Sequence, residues 1–273
     1  MARNDKTGEE PQVATGEWGQ IQLPLRLACK MARMTADALD SVRQDQIKMH
    51  AASEPDPRIP RRLSPYQSRV LSLLGVHFRV RLPAPQEIDN LYIAYQGIHK
   101  RLTRLKRTSF RLVTDAVARQ QTETVGGDIF GYVLPGNPNT IFLNETFFSL
   151  ARQPSRQTRP KPNPFIQPRT GAVRGHVEVE EGGERVIYSR EFRAGTILHE
   201  ATHLRFGFGA AGAVHRALRH GTNVDTGNPD CTVGFPQITS YTAAIGDAYV
   251  YERFARCVYN ARRTNKPGGA ANR

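Results

Sequence analysis

Long apolar runs are absent from this 273-residue chain, and its cysteines are few. No stretch of about 18 apolar residues is present, so we expect no membrane-spanning helix. The first residues, MARNDKTGEEPQ, lack the apolar stretch of a secretory signal. The three cysteines, Cys29, Cys231 and Cys257, have no CxxC spacing, which argues against a cysteine metal cluster. We expect buried thiols, with a Cys231–Cys257 disulfide as the alternative.

Acidic residues are also scarce, because 25 Asp and Glu face 38 Lys and Arg and give a formal net charge of +13. Such a charge suits a nucleic acid, an anionic membrane surface or an acidic protein as partner. The basic segments KRLTRLKR (100–107) and RQPSRQTRPKP (152–162) lack the interleaved aromatic residues that stack on bases. The pattern therefore predicts a solvated basic surface and makes nucleic acid an unfavoured partner.

Helix-forming segments dominate the first part of the chain. The apolar spacing and composition predict helices at 25–49, 66–74 and 86–105, a proline-rich linker at 52–65 and a short strand at 76–80. We therefore predict a disordered N-terminus at 1–16 and a mainly helical segment at 17–107.

The second part mixes strands and helices, so we predict an α+β fold. The patterns indicate strands at 110–113, 129–133 and 140–143, a hairpin at 176–189 around Gly182-Gly183, and a helix at 238–263. Between them, 144–151 reads as a helix, 152–171 as a proline-rich surface loop and 209–221 as a helix with a glycine-rich start. This domain would span 108–263, with a flexible C-terminus at 264–273.

The segment AGTILHEATH (194–203) contains the pattern HExxH. On a helix, residues four apart project side by side, so His199 and His203 can bind one ion. Glu200 would lean toward the open coordination position and accept a proton from water there. The flanking apolar residues suit a buried helix, for which Thr196 is a candidate N-cap. The pattern predicts one catalytic Zn²⁺.

A catalytic zinc site usually takes three protein ligands and leaves one position for water. Spacing alone leaves the third ligand open among six downstream residues: His215, His220, Asp225, Asp230, Asp247 and Glu252.

The chain resembles the aspzincin metallopeptidases, the group of deuterolysin and peptidyl-Lys metalloendopeptidase. The resemblance spans about residues 128–258. It depends on four segments that occur in the same order as in the family: NTIFLNETFFS (139–149), RAGTILHEATH (193–203), GTNVD (221–225) and GDAYVYERFA (246–255). It implies a zincin-like domain with a small antiparallel sheet. It also implies His199, His203 and Asp225 as zinc ligands, with Asp230, Glu252 or a histidine as alternatives to Asp225, and Glu200 as general base.

Two further roles follow from the resemblance. The family's oxyanion-stabilising tyrosine is replaced by Asn228, so Tyr241 and Tyr249 are the candidate donors, with Tyr251 as a third. Asp247 matches an acid that lines the substrate pocket of the lysine-cleaving members, and a structural hydrogen-bonding role is the alternative. Val250 stands where those members have a second acid, which argues against strict lysine specificity.

These features predict a zinc endopeptidase that acts on protein or peptide substrates. The alternative is a zinc-binding, toxin-like interaction module, without peptidase activity, that engages an acidic partner through the basic surface. We expect a location in the cytoplasm or delivery by a specialised secretion system.

Overall fold

A computed structural model of the chain describes residues 13–51, 63–81, 84–122, 130–145, 147–148, 177–181, 184–188, 190–204 and 231–264, which form helices and two small sheets. The helices are α1 Thr15–Ala51, α2 Pro65–Phe78, α3 Pro85–Arg104, α4 Asp115–Thr122, α5 Arg190–His203, α6 Tyr241–Ile245 and α7 Ala248–Thr264, with a 3-10 turn at Arg107–Ser109. The strands are β1 Phe110–Val113, β2 Gly131–Leu134, β3 Asn137–Asn144, β4 Val177–Glu181 and β5 Glu184–Tyr188. The presence of both helices and strands confirms the α+β class.

Helix α1 is longer than the sequence predicted, because it starts at Thr15 and contains Pro24. Proline removes one backbone hydrogen bond from a helix interior, which is why the prediction began after it. The buried face continues across this position, with Ile21 on one side and Leu25 and Ala28 on the other. Burial of that face stabilises the helix through the proline.

The strand predicted at 76–80 is wrong, because α2 continues through this segment to Phe78. Ser64 caps the start of α2 in a reciprocal pair of hydrogen bonds with Gln67. At the other end Arg79 adopts a left-handed conformation with φ 56°, and its N–H donates to the carbonyl of Leu74. Phe78 is buried against Phe254 of α7, which holds the last turn in the core.

The larger sheet has the order β1-β3-β2 and is mixed, not purely antiparallel as predicted. Strands β1 and β3 are parallel with Phe110 opposite Ile141, whereas β2 and β3 are antiparallel with Gly131 opposite Leu143. The hairpin of β4 and β5 is antiparallel, as its glycine-centred pattern predicted. Strand β2 lies at an edge of its sheet and contacts α5.

The helices of the second half differ from the predictions in two ways. Helix α4 was not predicted at all, since its eight residues are too short for a clear apolar period. The helix predicted at 238–263 is broken at Gly246 and Asp247 into α6 and α7. The segments 152–171 and 209–221 lie outside the described residues, as do residues 1–12 and 265–273 of the two predicted tails. In the described part of the N-terminal tail Val13 is buried and α1 begins at Thr15, before the predicted boundary at 17.

Helix α5 packs against α1, α3 and α7 in one hydrophobic core. The hydroxyl of Tyr95 on α3 donates to the carbonyl of Tyr251 on α7 at 2.6 Å, which ties these two helices together. The described residues on both sides of the predicted boundary at 108 therefore contribute to the same core. No helix among the described ranges is long and apolar enough to cross a membrane.

A disulfide joins Cys231 to Cys257 on α7, with the two Cα atoms 5.5 Å apart. The expectation of buried thiols is therefore wrong for these two cysteines, and the alternative pairing is the one found. Cys29 is free and partly buried. Spacing could not reveal the pair because residues 231 and 257 are brought together by the packing of the chain before α6 against α7.

Replacement Cys231→Ser should lower the free energy of unfolding by about 3 kcal/mol, because the disulfide closes a loop of 26 residues in the unfolded chain. Urea unfolding without reductant measures this. Cys29→Ser is the matched control and should change the stability by less than about 0.5 kcal/mol. Equal stability of the two variants would contradict the pairing.

Candidate metal centre

Helix α5 carries the HExxH motif and is buried along most of its length. Ala194, Ile197, Leu198 and Ala201 are fully buried and provide the apolar side of the helix. The helix begins at Arg190, so Thr196 is not its N-cap as predicted. Instead the Thr196 hydroxyl donates to the carbonyl of Phe192 at 3.2 Å within the helix.

The imidazoles of His199 and His203 converge on one point. Their Nε2 atoms are 3.3 Å apart and their ring planes make an angle of 66°. Two nitrogen ligands at 2.0–2.1 Å from a tetrahedral zinc ion lie about 3.3 Å apart, so this separation fits the metal. His199 is buried, whereas His203 is partly exposed. The pair can therefore hold a cation that still has access to solvent.

No group of three or more His, Cys, Asp or Glu side chains that could hold a metal ion occurs among the described residues. Asp225, matched to the family's third ligand, lies in the segment 205–230, outside the described residues. The same holds for His215, His220 and Asp230. The assignment of Asp225 as third zinc ligand stays a prediction.

Glu252 lies behind the His199 ring. Its Oε2 atom is 3.9 Å from His199 Nδ1, the ring nitrogen on the side away from Nε2. Its other oxygen, Oε1, is 3.2 Å from Nε of Arg256, one turn later on α7. A carboxylate on this side of the ring can orient a histidine ligand, although 3.9 Å is longer than a hydrogen bond.

Glu200 is buried at the centre of the site, with a relative exposure of 2%. Burial raises the pKa of its carboxyl to about 8, and the negative charge of Glu252 acts in the same direction. Its Oε2 atom has no hydrogen-bond partner among the described residues. A carboxyl group with such a pKa can exchange a proton near neutral pH, and a neighbouring cation would favour its ionised form.

Strand β2 passes directly over Glu200. A Cβ atom on Gly131 would lie 3.3 Å from Glu200 Cγ and 3.2 Å from the carbonyl oxygen of Phe142. Glycine at this position therefore allows the backbone of the edge strand to approach the glutamate closely.

The structure brings Tyr249 to the site but gives Tyr241 a different contact. The Tyr249 ring centroid is 4.3 Å from that of His199. The Tyr241 hydroxyl donates to the carbonyl of Glu87 on α3 at 3.2 Å, and Tyr251 is buried in the core. Of the three tyrosines, Tyr249 is therefore the one whose ring lies against His199.

Asp247 is almost completely buried and caps α7. Its Oδ1 accepts a hydrogen bond from the backbone N–H of Tyr249 at 2.9 Å. This is the structural role that the sequence left open as an alternative. Contact of Asp247 with a substrate stays a prediction.

Arg101 on α3 holds the end of the histidine-bearing helix. Its Nη1 donates to the carbonyls of Ala201 and Thr202, each at 2.9 Å. These carbonyls belong to the last turn of α5, where helical partners are missing. Burial lowers the pKa of Arg101 to about 10, which leaves the guanidinium charged at neutral pH.

The role of Arg101 was not predicted, because its segment was interpreted as a solvated basic face. A signal was present, since Arg101 lies three residues after Ile98 and next to Leu102, within the apolar stripe of α3. An arginine in such a stripe indicates a buried polar contact.

Comparisons of the chain with protein-family models, with curated proteins and with solved structures gave no match. The resemblance to the aspzincins rests on the motifs described in the sequence.

Replacement Arg101→Met should destabilise the fold by about 3 kcal/mol, because two buried carbonyl groups lose their donor. Urea unfolding of Arg101→Met and of Arg104→Met provides the comparison, since Arg104 is exposed in the last turn of the same helix. A loss for Arg101→Met no larger than for Arg104→Met would refute the capping role.

Proposed function

We propose that this protein is a zinc endopeptidase with an aspzincin-like site. The observation that carries the proposal is the convergence of the His199 and His203 Nε2 atoms at 3.3 Å, with the buried Glu200 between them in sequence. These two residues would hold the ion together with Asp225, which comes from the family resemblance. The donor set of two imidazoles and one carboxylate suits zinc.

A zinc ion held by these residues would polarise the carbonyl under attack and lower the pKa of a bound water. Glu200 takes the proton from the attacking water and passes it to the departing amine. A cation held by the histidines would favour the ionised carboxylate, which can accept the proton from water and, once protonated, release it. Tyr249, beside His199, is the proposed donor to the developing oxyanion.

The position of β2 supports a peptide as substrate. An extended peptide that paired with this edge strand would run past Gly131 and so past Glu200. Its main-chain groups would be held by the strand, and the bond to be cleaved would lie beside the proton acceptor.

A zinc-binding interaction module is the second candidate. It is favoured by Asn228 in place of the family's tyrosine and by the contact of the Tyr241 hydroxyl with Glu87. In that case the ion would be structural and the basic surface would bind an acidic protein.

The Cys231–Cys257 disulfide favours an oxidising compartment over the cytoplasm. Of the two expected locations, delivery by a specialised secretion system is therefore the one we favour.

Replacement Glu200→Gln should reduce peptide hydrolysis by at least about 100-fold and leave zinc content unchanged, because the amide cannot accept the proton. A peptide-library digest together with metal analysis measures both. Glu145→Gln, at an exposed position at the end of β3, is the matched control and should retain activity. Full activity of Glu200→Gln would exclude Glu200 as the base, and zinc binding without any hydrolysis by the unsubstituted protein would favour the interaction module.

Replacement Asp225→Asn should weaken zinc binding by more than the roughly 10–100-fold that is typical of changes around the ligand sphere. Asp230→Asn is the comparison, as it removes the next acid along the chain. Competition with a chromophoric chelator gives both dissociation constants. A larger loss in Asp230→Asn would reassign the third ligand.

A further inference from the structure

Glu252 and Gly195 lie next to each other on the side of His199 that faces away from His203. Helices α5 and α7 pack against each other, and the side chains of His199 and Glu252 are only 4% and 5% exposed where they meet. A carboxylate in such a place is costly unless its oxygens have polar or charged neighbours. Glu252 has two, since Oε1 faces Arg256 and Oε2 faces His199 Nδ1.

Gly195 provides the space for this carboxylate. A Cβ atom at position 195 would lie 2.3 Å from Glu252 Oε1 and 3.1 Å from its Cδ. Gly195 is one helical turn before His199, so the glycine and the histidine face the same neighbour on α7. Glycine is unfavourable in a helix interior, and here it allows the carboxylate to approach the backbone of α5.

The negative charge of Glu252 favours one tautomer of His199, although the 3.9 Å between Oε2 and Nδ1 is longer than a hydrogen bond. A carboxylate accepts hydrogen bonds and cannot donate them when ionised, so it favours a proton on the facing Nδ1. The Nε2 atom then keeps its lone pair toward the point shared with His203. Binding of a metal ion through Nε2 requires this tautomer.

We propose that Glu252 is a positioning residue for the metal centre, and that Gly195 is required because only glycine admits the Glu252 carboxylate beside His199. The inference rests on the proposed function, since it assumes that His199 and His203 bind the metal. It assigns to Glu252 a role other than that of third ligand. Glu252 acts through His199 and does not touch the ion or the substrate.

Replacement Glu252→Gln tests the tautomer directly. Arg256 can only donate, so it should hold the amide oxygen and turn the amide NH₂ group toward His199 Nδ1. The ring proton then moves to Nε2. Nitrogen-15 NMR of the metal-free protein should show His199 protonated on Nδ1 in the unsubstituted protein and on Nε2 in the variant. The same tautomer in both would overturn the proposal.

Zinc affinity provides the second readout. Glu252→Gln removes the charge, and Gly195→Ala displaces the carboxylate without removing it, so both should weaken zinc binding by about 10–100-fold. Glu145→Gln should bind zinc like the unsubstituted protein. Thermal unfolding of the metal-free variants identifies any that fails to fold, and the other variant then decides the result.

The outcomes separate this inference from the proposed function. If the unsubstituted protein binds zinc and both variants bind it equally well, only the role of Glu252 fails. If both variants lose affinity but no form hydrolyses peptides, the role of Glu252 is supported and the endopeptidase fails. If the unsubstituted protein takes up no zinc, both fail.

Discussion

The burial of helix α5 is the constraint on which the site depends. Its apolar side packs into the core formed with α1, α3 and α7, and burial of a side chain such as Ile197 or Leu198 contributes about 1.5–3 kcal/mol. This packing offsets the cost of placing His199 and Glu200 away from water. The four-residue spacing of the imidazoles then becomes a fixed separation of 3.3 Å between two nitrogen atoms. A mobile surface helix with the same sequence would not fix that separation so closely.

Charged side chains of both signs lie around helix α5. Glu200 lies beside the converging imidazoles, Glu252 lies behind one of them, and Arg256 and Arg101 provide positive charge on α7 and at the end of α5. Burial raises the pKa of Glu200, and the charge of Glu252 acts in the same direction, so the ionised form of Glu200 is unfavourable there. A divalent cation between the imidazoles would reverse that balance, because it would stabilise the ionised form of the carboxyl. The same residues would then favour both metal binding and proton transfer.

Local patterns predicted the parts of the fold that local interactions decide. The apolar spacing of α3, the glycine-centred hairpin and the HExxH helix were all found from the sequence. The contacts between distant segments were not, because no local pattern encodes them: Arg101 bonds to residues 100 and 101 positions away, and Cys231 pairs with a residue 26 positions later. At Pro24 the predicted helix was too short, because burial stabilises α1 on both sides of the proline. At Gly246 the predicted helix was too long, because α6 ends there and Asp247 caps the start of α7.

The central claim is that the two imidazoles share one zinc ion. A crystal structure of the zinc-loaded protein, with the metal located by its anomalous scattering, tests it most directly. We expect one ion bonded to the Nε2 atoms of both His199 and His203 at about 2.0–2.1 Å, with Glu252 beside Nδ1 of His199. A structure at saturating zinc in which the two Nε2 atoms share a hydrogen bond and the metal lies elsewhere would contradict this claim.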